Sequence, residues 1–197
     1  MRPFEHIDEY FSELQAIHGT GAAVKETSYY PCLSTLFNAL GKKLRPKVRC
    51  IIHPRNIGAG IPDGALFTSD QKPTSDDPLA EGLAPSRGVI EVKGAGEDLS
   101  GPVVGQQVEK YLKKYGLVLL TNYRDFLLLR WDQGAVTQLE RFTLASTEKE
   151  FWRSISTPQS FTNEVGAQFH EYLTRVLMHA APLTTPKEVA WFLASYA

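Results

Sequence analysis

The chain has 197 residues, 43% of them hydrophobic and 22% charged, with a formal net charge of −1. This is the length of one substantial domain with its own core, and the composition of an ordinary soluble globular protein. A charge so near zero gives no global basic footprint for a polyanion, and no run of about 18 apolar residues offers a membrane span. The acidic, amphipathic start MRPFEHIDEYF is unlike a secretory signal. Cys32 and Cys50, each in an apolar setting, fit buried free thiols in a reducing compartment, so a cytoplasmic protein is expected.

Phe4, Ile7, Tyr10, Phe11 and Leu14 recur at helical spacing and stop at His18-Gly19-Thr20-Gly21, which predicts an amino-terminal helix. A second helix is predicted over Lys25 to Leu40, and both are expected to cover a sheet. From 42 to 55 the chain places Lys42, Lys43, Arg45, Lys47, Arg49 and Arg55 with no acidic residue. Two readings stand side by side: a phosphate-contacting stripe, or a solvated helix end followed by a lysine-guarded edge strand. Within this segment Val48, Cys50 and Ile52 alternate with Arg49, Ile51 and His53 as a strand that ends in the turn cluster Pro54 to Gly58.

Ile61-Pro62-Asp63-Gly64 begins the next strand, and Val89 to Lys93 forms an apolar strand interrupted by Glu91. Between them, Ser69 to Ser86 is rich in Asp, Pro, Ser and Gly, as expected of a mobile loop that is a tolerated insertion sooner than a gate. Gly94-Ala95-Gly96 breaks the strand, and a helix over Val103 to Tyr115 leads to an apolar strand at Leu117 to Leu120, a βαβ crossover. Phe126 to Trp131 is its antiparallel neighbour across Asn122-Tyr123-Arg124, and Val136 to Phe142 adds an edge strand. Helices are predicted at Glu148 to Ser154, Phe161 to His179 and Lys187 to Tyr196, the second with Val165, Phe169, Tyr172, Leu173, Val176 and Leu177 on one face. The expected division is a domain over 1–157 and a helical extension or connector over 158–197. The last helix has a good cap at Thr185-Pro186 but no stop signal, so a longer natural chain is expected.

Chemistry concentrates in two of these strands. Alternation puts Glu91 and Lys93 on one side of their strand, with Ile90 and Val92 on the other. Asp63, between proline and glycine, suits a strand end or turn at a sheet edge, and pairing of the two strands would bring it to Glu91. Two carboxylates plus a backbone carbonyl such as that of Val92 form a Mg²⁺ site with positions left for water and a phosphate oxygen. Lys93 would orient that water or stabilise charge on the phosphate. Each residue also has a plainer reading. Asp63 would be a turn residue, Glu26 a helix-dipole partner, and Gln107 with Tyr111, at i and i+4, ordinary packing. A Glu91–Lys93 ion pair is the plainer reading of that strand, weakened because side chains at i and i+2 run parallel. His6, His18, His53, His170 and His179 lack the paired spacing of a zinc site, and none is read as a ligand.

The order Pro62-Asp63, then Glu91-Val92-Lys93 inside an apolar strand, resembles the PD-(D/E)xK nuclease superfamily over roughly residues 20 to 145. Glu26 matches the additional acidic residue that this superfamily often carries upstream. Gln107 to Tyr111 matches the Gln-x-x-x-Tyr element that follows the catalytic strand in one branch. The resemblance implies an α/β fold with a restriction-endonuclease-like core, a central mixed sheet flanked by helices. It implies Asp63, Glu91 and Lys93 as catalytic residues, Glu26, Gln107 and Tyr111 as supporting ones, and Mg²⁺ on Asp63, Glu91 and the Val92 carbonyl. With the unfinished carboxy-terminus, the chain resembles the nuclease domain of single-chain restriction-modification enzymes of the type ISP or type IIL kind. The implied partners are double-stranded DNA, downstream ATPase or methyltransferase domains of the same chain, and a second nuclease copy for double-strand cleavage. ATP and S-adenosylmethionine would belong to the downstream parts, since neither an ATPase nor a methyltransferase motif occurs here. The alternatives are a non-catalytic DNA-binding or assembly domain that retains the fold, and a free-standing repair or transposon nuclease.

Overall fold

The computed structural model describes residues 3–56, 58–71, 84–99 and 105–183, with residues 186, 189, 190 and 193. Most of the expected mobile loop, residues 72–83, lies outside the described residues, as do residues 103 and 104 at the start of the predicted crossover helix. Of the last predicted helix, residues 189, 190 and 193 are described, and they are helical.

Helix α1 (Glu5–Gly19) buries Ile7, Tyr10, Phe11 and Leu14, the stripe read from the sequence. Glu5 and Asp8 in its first turn and His18 in its last complement the helix dipole. Helix α2 (Tyr30–Gly41) starts five residues later than predicted, after a 3-10 turn at Thr27–Tyr29. The reason is Pro31, which favours the first turn of a helix because its missing N–H would have no partner there. Glu26 therefore precedes the helix and does not lie within it. At the other end, a Cβ on Gly41 would run into the Val48 carbonyl, so glycine lets α2 press directly against the first strand.

Strands β1 (Val48–Ile52), β2 (Gly64–Thr68), β3 (Val89–Val92), β4 (Leu117–Thr121), β5 (Asp125–Asp132) and β6 (Ala135–Thr143) form one sheet in that order. Only β3 and β4 pair in parallel, joined by helix α3 (Gln106–Tyr115); the other neighbours are antiparallel. The sheet is thus mixed and flanked by helices, the α/β architecture expected. The strand ends follow local chemistry: Gly116, at φ 73, closes α3 in the left-handed conformation that glycine tolerates, and β4 begins at the next residue.

Two apolar layers enclose the sheet. On one face Val48, Cys50, Leu66, Ile90, Val92, Leu119 and Leu128 pack under α1 and α2. Helix α5 (Pro158–Met178) belongs to that same layer through Phe161, Phe169, Tyr172, Leu173, Val176 and Leu177. Helix α4 (Glu148–Ser154) adds Phe151 and is capped by Thr147, whose side chain accepts the Glu150 N–H. On the other face Ala65, Val89, Val118, Leu120, Leu127 and Leu129 pack under Val108, Tyr111, Leu112 and Tyr115 of α3. Among the described residues no helix is long and apolar enough to cross a membrane.

Helices α1 and α5 are also joined by a hydrogen bond between His6 Nε2 and His170 Nδ1, at 2.9 Å. Burial, then the neighbouring His170, Lys43 and Lys42, lowers the pKa of His6 to about 4. Because the unfolded chain takes up this proton near pH 6.5, the contribution of neutral His6 to stability is complete above that value and is lost as pH falls through about 4. Urea midpoints measured from pH 7.5 down to pH 4 should therefore fall more steeply for the wild type than for His6→Gln. Parallel curves would show that His6 takes up a proton equally easily in both states.

Candidate functional site

The two ladders of β2 and β3 match for only two residue pairs, Gly64 with Ile90 and Ala65 with Val89. Continuing that register sets Asp63 opposite Glu91 and Pro62 opposite Val92. Proline cannot extend a ladder with an N–H. At this point the Asp63 carboxylate takes over: its Oδ2 accepts the Val92 N–H at 2.8 Å. Its Oδ1 accepts the Tyr30 hydroxyl at 2.7 Å. Asp63 is thus at the end of an interior strand, not at an edge of the sheet as expected, and both its oxygens are held. Tyr30 lies 33 residues away, in the first turn of α2, and no spacing in the sequence pointed to it.

Glu91 and Lys93 share a face as alternation predicts, but that face is not a solvated one. All four residues of β3 are buried, and Glu91 is only 2% exposed. Its side lies over the α3 layer with Val89, while Ile90 and Val92 enter the α1/α2 layer. Lys93 Nζ donates to Glu91 Oε1 at 2.7 Å. The expectation that i and i+2 side chains make a poor pair is overturned: Lys93 lies past the end of β3, half-buried, where its flexible stem can turn back. Among the described residues Glu91 Oε2 is buried with no hydrogen-bond partner.

Glu26 reaches the same corner. Its carboxyl group feels the charges of Lys93, Glu97 and Asp63. Glu97, which sequence reading missed, also accepts the Gly94 N–H at 3.1 Å, and it follows directly on the glycine break after Lys93. From α3, Gln107 Nε2 donates to the Tyr111 hydroxyl at 3.1 Å, and the field of Glu91 and Asp63 is felt at that hydroxyl. The Tyr111 ring itself is part of the α3 layer, so packing and approach to the site are one arrangement.

The electrostatics follow from burial. It raises the Glu91 pKa, and although the Lys93 hydrogen bond opposes this, the Asp63 and Glu26 charges add to it. Burial likewise raises Glu26, with Glu97 and Asp63 adding and Lys93 opposing. For Lys93 burial works downward, but the bond to Glu91 and the charges of Glu91, Glu26 and Asp63 outweigh it and hold the ammonium charged. The corner therefore carries a surplus of negative charge. Among the described residues no three His, Cys, Asp or Glu side chains form a ready-made metal cage. Mg²⁺ requires none, since it is commonly held by one or two carboxylates and keeps positions for water and phosphate. The orphaned Glu91 Oε2 beside Asp63 is a donor set of that type.

No family profile and no curated protein sequence matches the chain. Its fold is similar to that of a chain in the cryoEM structure of a DrdV–DNA complex. The TM-score is 0.51 and the identity 17%, over 79% of this chain and 96% of that one. The likeness bears on the fold, which is the restriction-endonuclease-like α/β architecture with a central mixed sheet.

If Glu91 carries a charge that the fold tolerates only for the sake of a cation, neutralising it should stabilise the cation-free protein. Glu91→Gln is expected to gain about 1 kcal/mol, or roughly 2–4 °C in Tm for a chain of this size. Mg²⁺ should raise the Tm of the wild type and leave that of the variant unchanged. A lower Tm for Glu91→Gln would instead mark the Lys93–Glu91 pair as a purely structural ion pair.

Proposed function

We propose that this chain is a Mg²⁺-dependent endonuclease domain acting on double-stranded DNA, the cutting module of a single-chain restriction-modification enzyme. The observation that carries the reading is Glu91, a carboxylate buried in an apolar strand with one oxygen on Lys93, the other without a partner among the described residues, and Asp63 opposite it in register. Burying an ionised group without full pairing is expensive, and an ion pair alone has no use for the added carboxylates of Asp63 and Glu26. The fold likeness to a chain solved with DNA supports DNA as the substrate.

Asp63, Glu91 and the Val92 carbonyl would hold the ion. The carbonyl belongs with them because the N–H and C=O of one strand residue point to the same side, and the Val92 N–H points at Asp63. A bound Mg²⁺ would supply Lewis-acid stabilisation of the scissile phosphate and acidify a coordinated water. Lys93, kept protonated by the surrounding carboxylates, is a donor and counter-charge for a phosphate oxygen, and not a general base. Tyr30 fixes the orientation of Asp63, and Glu26 extends the negative field that attracts the cation. Gln107 and Tyr111 supply the polar rim on the α3 side.

One such site cuts one strand, so double-strand cleavage requires a second copy. ATP and S-adenosylmethionine are expected only for downstream domains of the natural chain. The closed Lys93–Glu91 pair favours one other reading, a non-catalytic DNA-binding domain that keeps the fold with its charges paired. Supercoiled plasmid separates the two. In Mg²⁺ the intact protein should nick it, and Asp63→Ala, Glu91→Ala and Lys93→Ala should each lose about 10²–10³-fold in rate. Three variants cutting at the wild-type rate would overturn the assignment.

A further inference from the structure

The basic segment 42–55 is not absorbed by the cutting site. All six of its cations are exposed, and among the described residues none makes an ion pair or a side-chain hydrogen bond. In a chain of net charge −1 this is a local surplus that no ion pair among the described residues neutralises. Lys42, Lys47 and Arg49 line a groove of about 1240 Å³ along β1 and the outer side of α2, with Ile51 and Phe67 in its wall and Glu9 as the one acid among its described residues.

Three features say what this groove accepts. The outer edge of β1 is not free for another strand, because the Asn38 side chain already occupies both the N–H and the C=O of Cys50, at 3.0 and 3.3 Å. That removes the commonest protein partner of an edge strand. Among the described residues the cations are unpaired, and Lys42 at the end of α2 shares one groove with Lys47 and Arg49 at the start of β1, a cluster of positive charge that suits a polyanion. Strand β1, which lines the groove, also runs toward the Asp63 corner. Arg49 is paired with Phe67 and Ile51 with Ala65, and the row closes where the His53 N–H meets the Asp63 carbonyl at 3.0 Å. Ala65 and Phe67 lie in the layer on the Glu91 side of the sheet. Five strand residues span roughly 13 Å, about four nucleotide rises of one DNA strand.

We propose that this groove carries the sugar-phosphate backbone of the DNA a few nucleotides from the cut bond, a proposal that rests on the nuclease reading. Lys42, Lys47 and Arg49 contact phosphates, and Ile51, 43% exposed, and Phe67 give apolar contact to the sugars. These contacts fix the register of the duplex on the site and do not read its sequence.

The test is binding without cleavage, followed by fluorescence anisotropy of a labelled 20-base-pair duplex with the intact protein in EDTA across a salt series. The triple variant Lys42→Gln/Lys47→Gln/Arg49→Gln is compared with a charge-matched control, Lys114→Gln/Lys149→Gln/Arg153→Gln, whose residues are exposed elsewhere. The groove variant should bind at least tenfold more weakly, with the slope of log K against log salt reduced by about 2–3, and the control should behave as wild type. Equal weakening of both variants, which would reflect net charge alone, or no change in either, overturns the proposal. Plasmid nicking by the wild type and its loss in Asp63→Ala are read separately, so a failed groove leaves the nuclease reading standing.

Discussion

The hydrogen bond from the Val92 N–H to Asp63 Oδ2 does what the backbone of β2 cannot do at that level. Beyond Gly64 and Ile90 the strands would pair Pro62 with Val92, and proline has no N–H to exchange. A side-chain oxygen therefore closes the ladder, and the carboxylate that does so is fixed to the strand carrying Glu91 and Lys93. Tyr30 holds the other oxygen from α2, on the opposite layer. Each carboxylate oxygen has a second lone pair, so two hydrogen bonds orient Asp63 without exhausting its capacity as a ligand. Gly64 sits close over Ile90 at this junction, where a Cβ would approach the end of the Ile90 side chain to 3.2 Å.

Held in this way, Asp63 sets the charge balance of the whole corner. Asp63, Glu26 and Glu91 surround a single ammonium, and the proton affinities of Glu26, Glu91 and Lys93 are all raised. Burial is the largest cause of the rise at Glu91, and the hydrogen bond from Lys93 does not fully offset it. What the fold tolerates is a half-paired carboxylate in an apolar layer, the type of local cost that collects at functional sites.

Much of this could be read in the sequence. Period and punctuation located all six strands, and α4 over Glu148–Ser154 came out residue for residue, because Thr147 caps it and Phe151 anchors it. The cross-strand placement of Asp63 opposite Glu91 followed from strand pairing alone. What could not be read was of two kinds. Contacts between elements, such as Tyr30 with Asp63 or Tyr123 with the Glu26 carbonyl, leave no periodic trace, since nothing local requires them. The Lys93–Glu91 contact was misread for a different reason. Alternation describes where Cβ atoms point, while a lysine past the last residue of a strand is governed by the reach of its stem.

The turn between β4 and β5 shows how closely fold and site are joined. Asn122 and Arg124 both donate to the Glu97 carbonyl, and Arg124 also donates to the carbonyls of Ala95 and Ala145. Tyr123, between them, donates its hydroxyl to the Glu26 carbonyl and accepts the Tyr10 hydroxyl on its own carbonyl. Tyr123 has a φ of 73°, in a region where a residue with a bulky side chain is strained by about 1–3 kcal/mol. That conformation persists because every neighbour of the turn demands it. Arg124 is buried and anchored to Asp125, which Arg141 and Thr143 hold in turn. Three consecutive residues far from Asp63 in the chain thus pin the loop after Lys93 and the segment before α2, the two pieces of backbone that carry Glu97 and Glu26. The acidic flank of the site is held by the sheet through this turn, so its geometry is set before any ligand arrives.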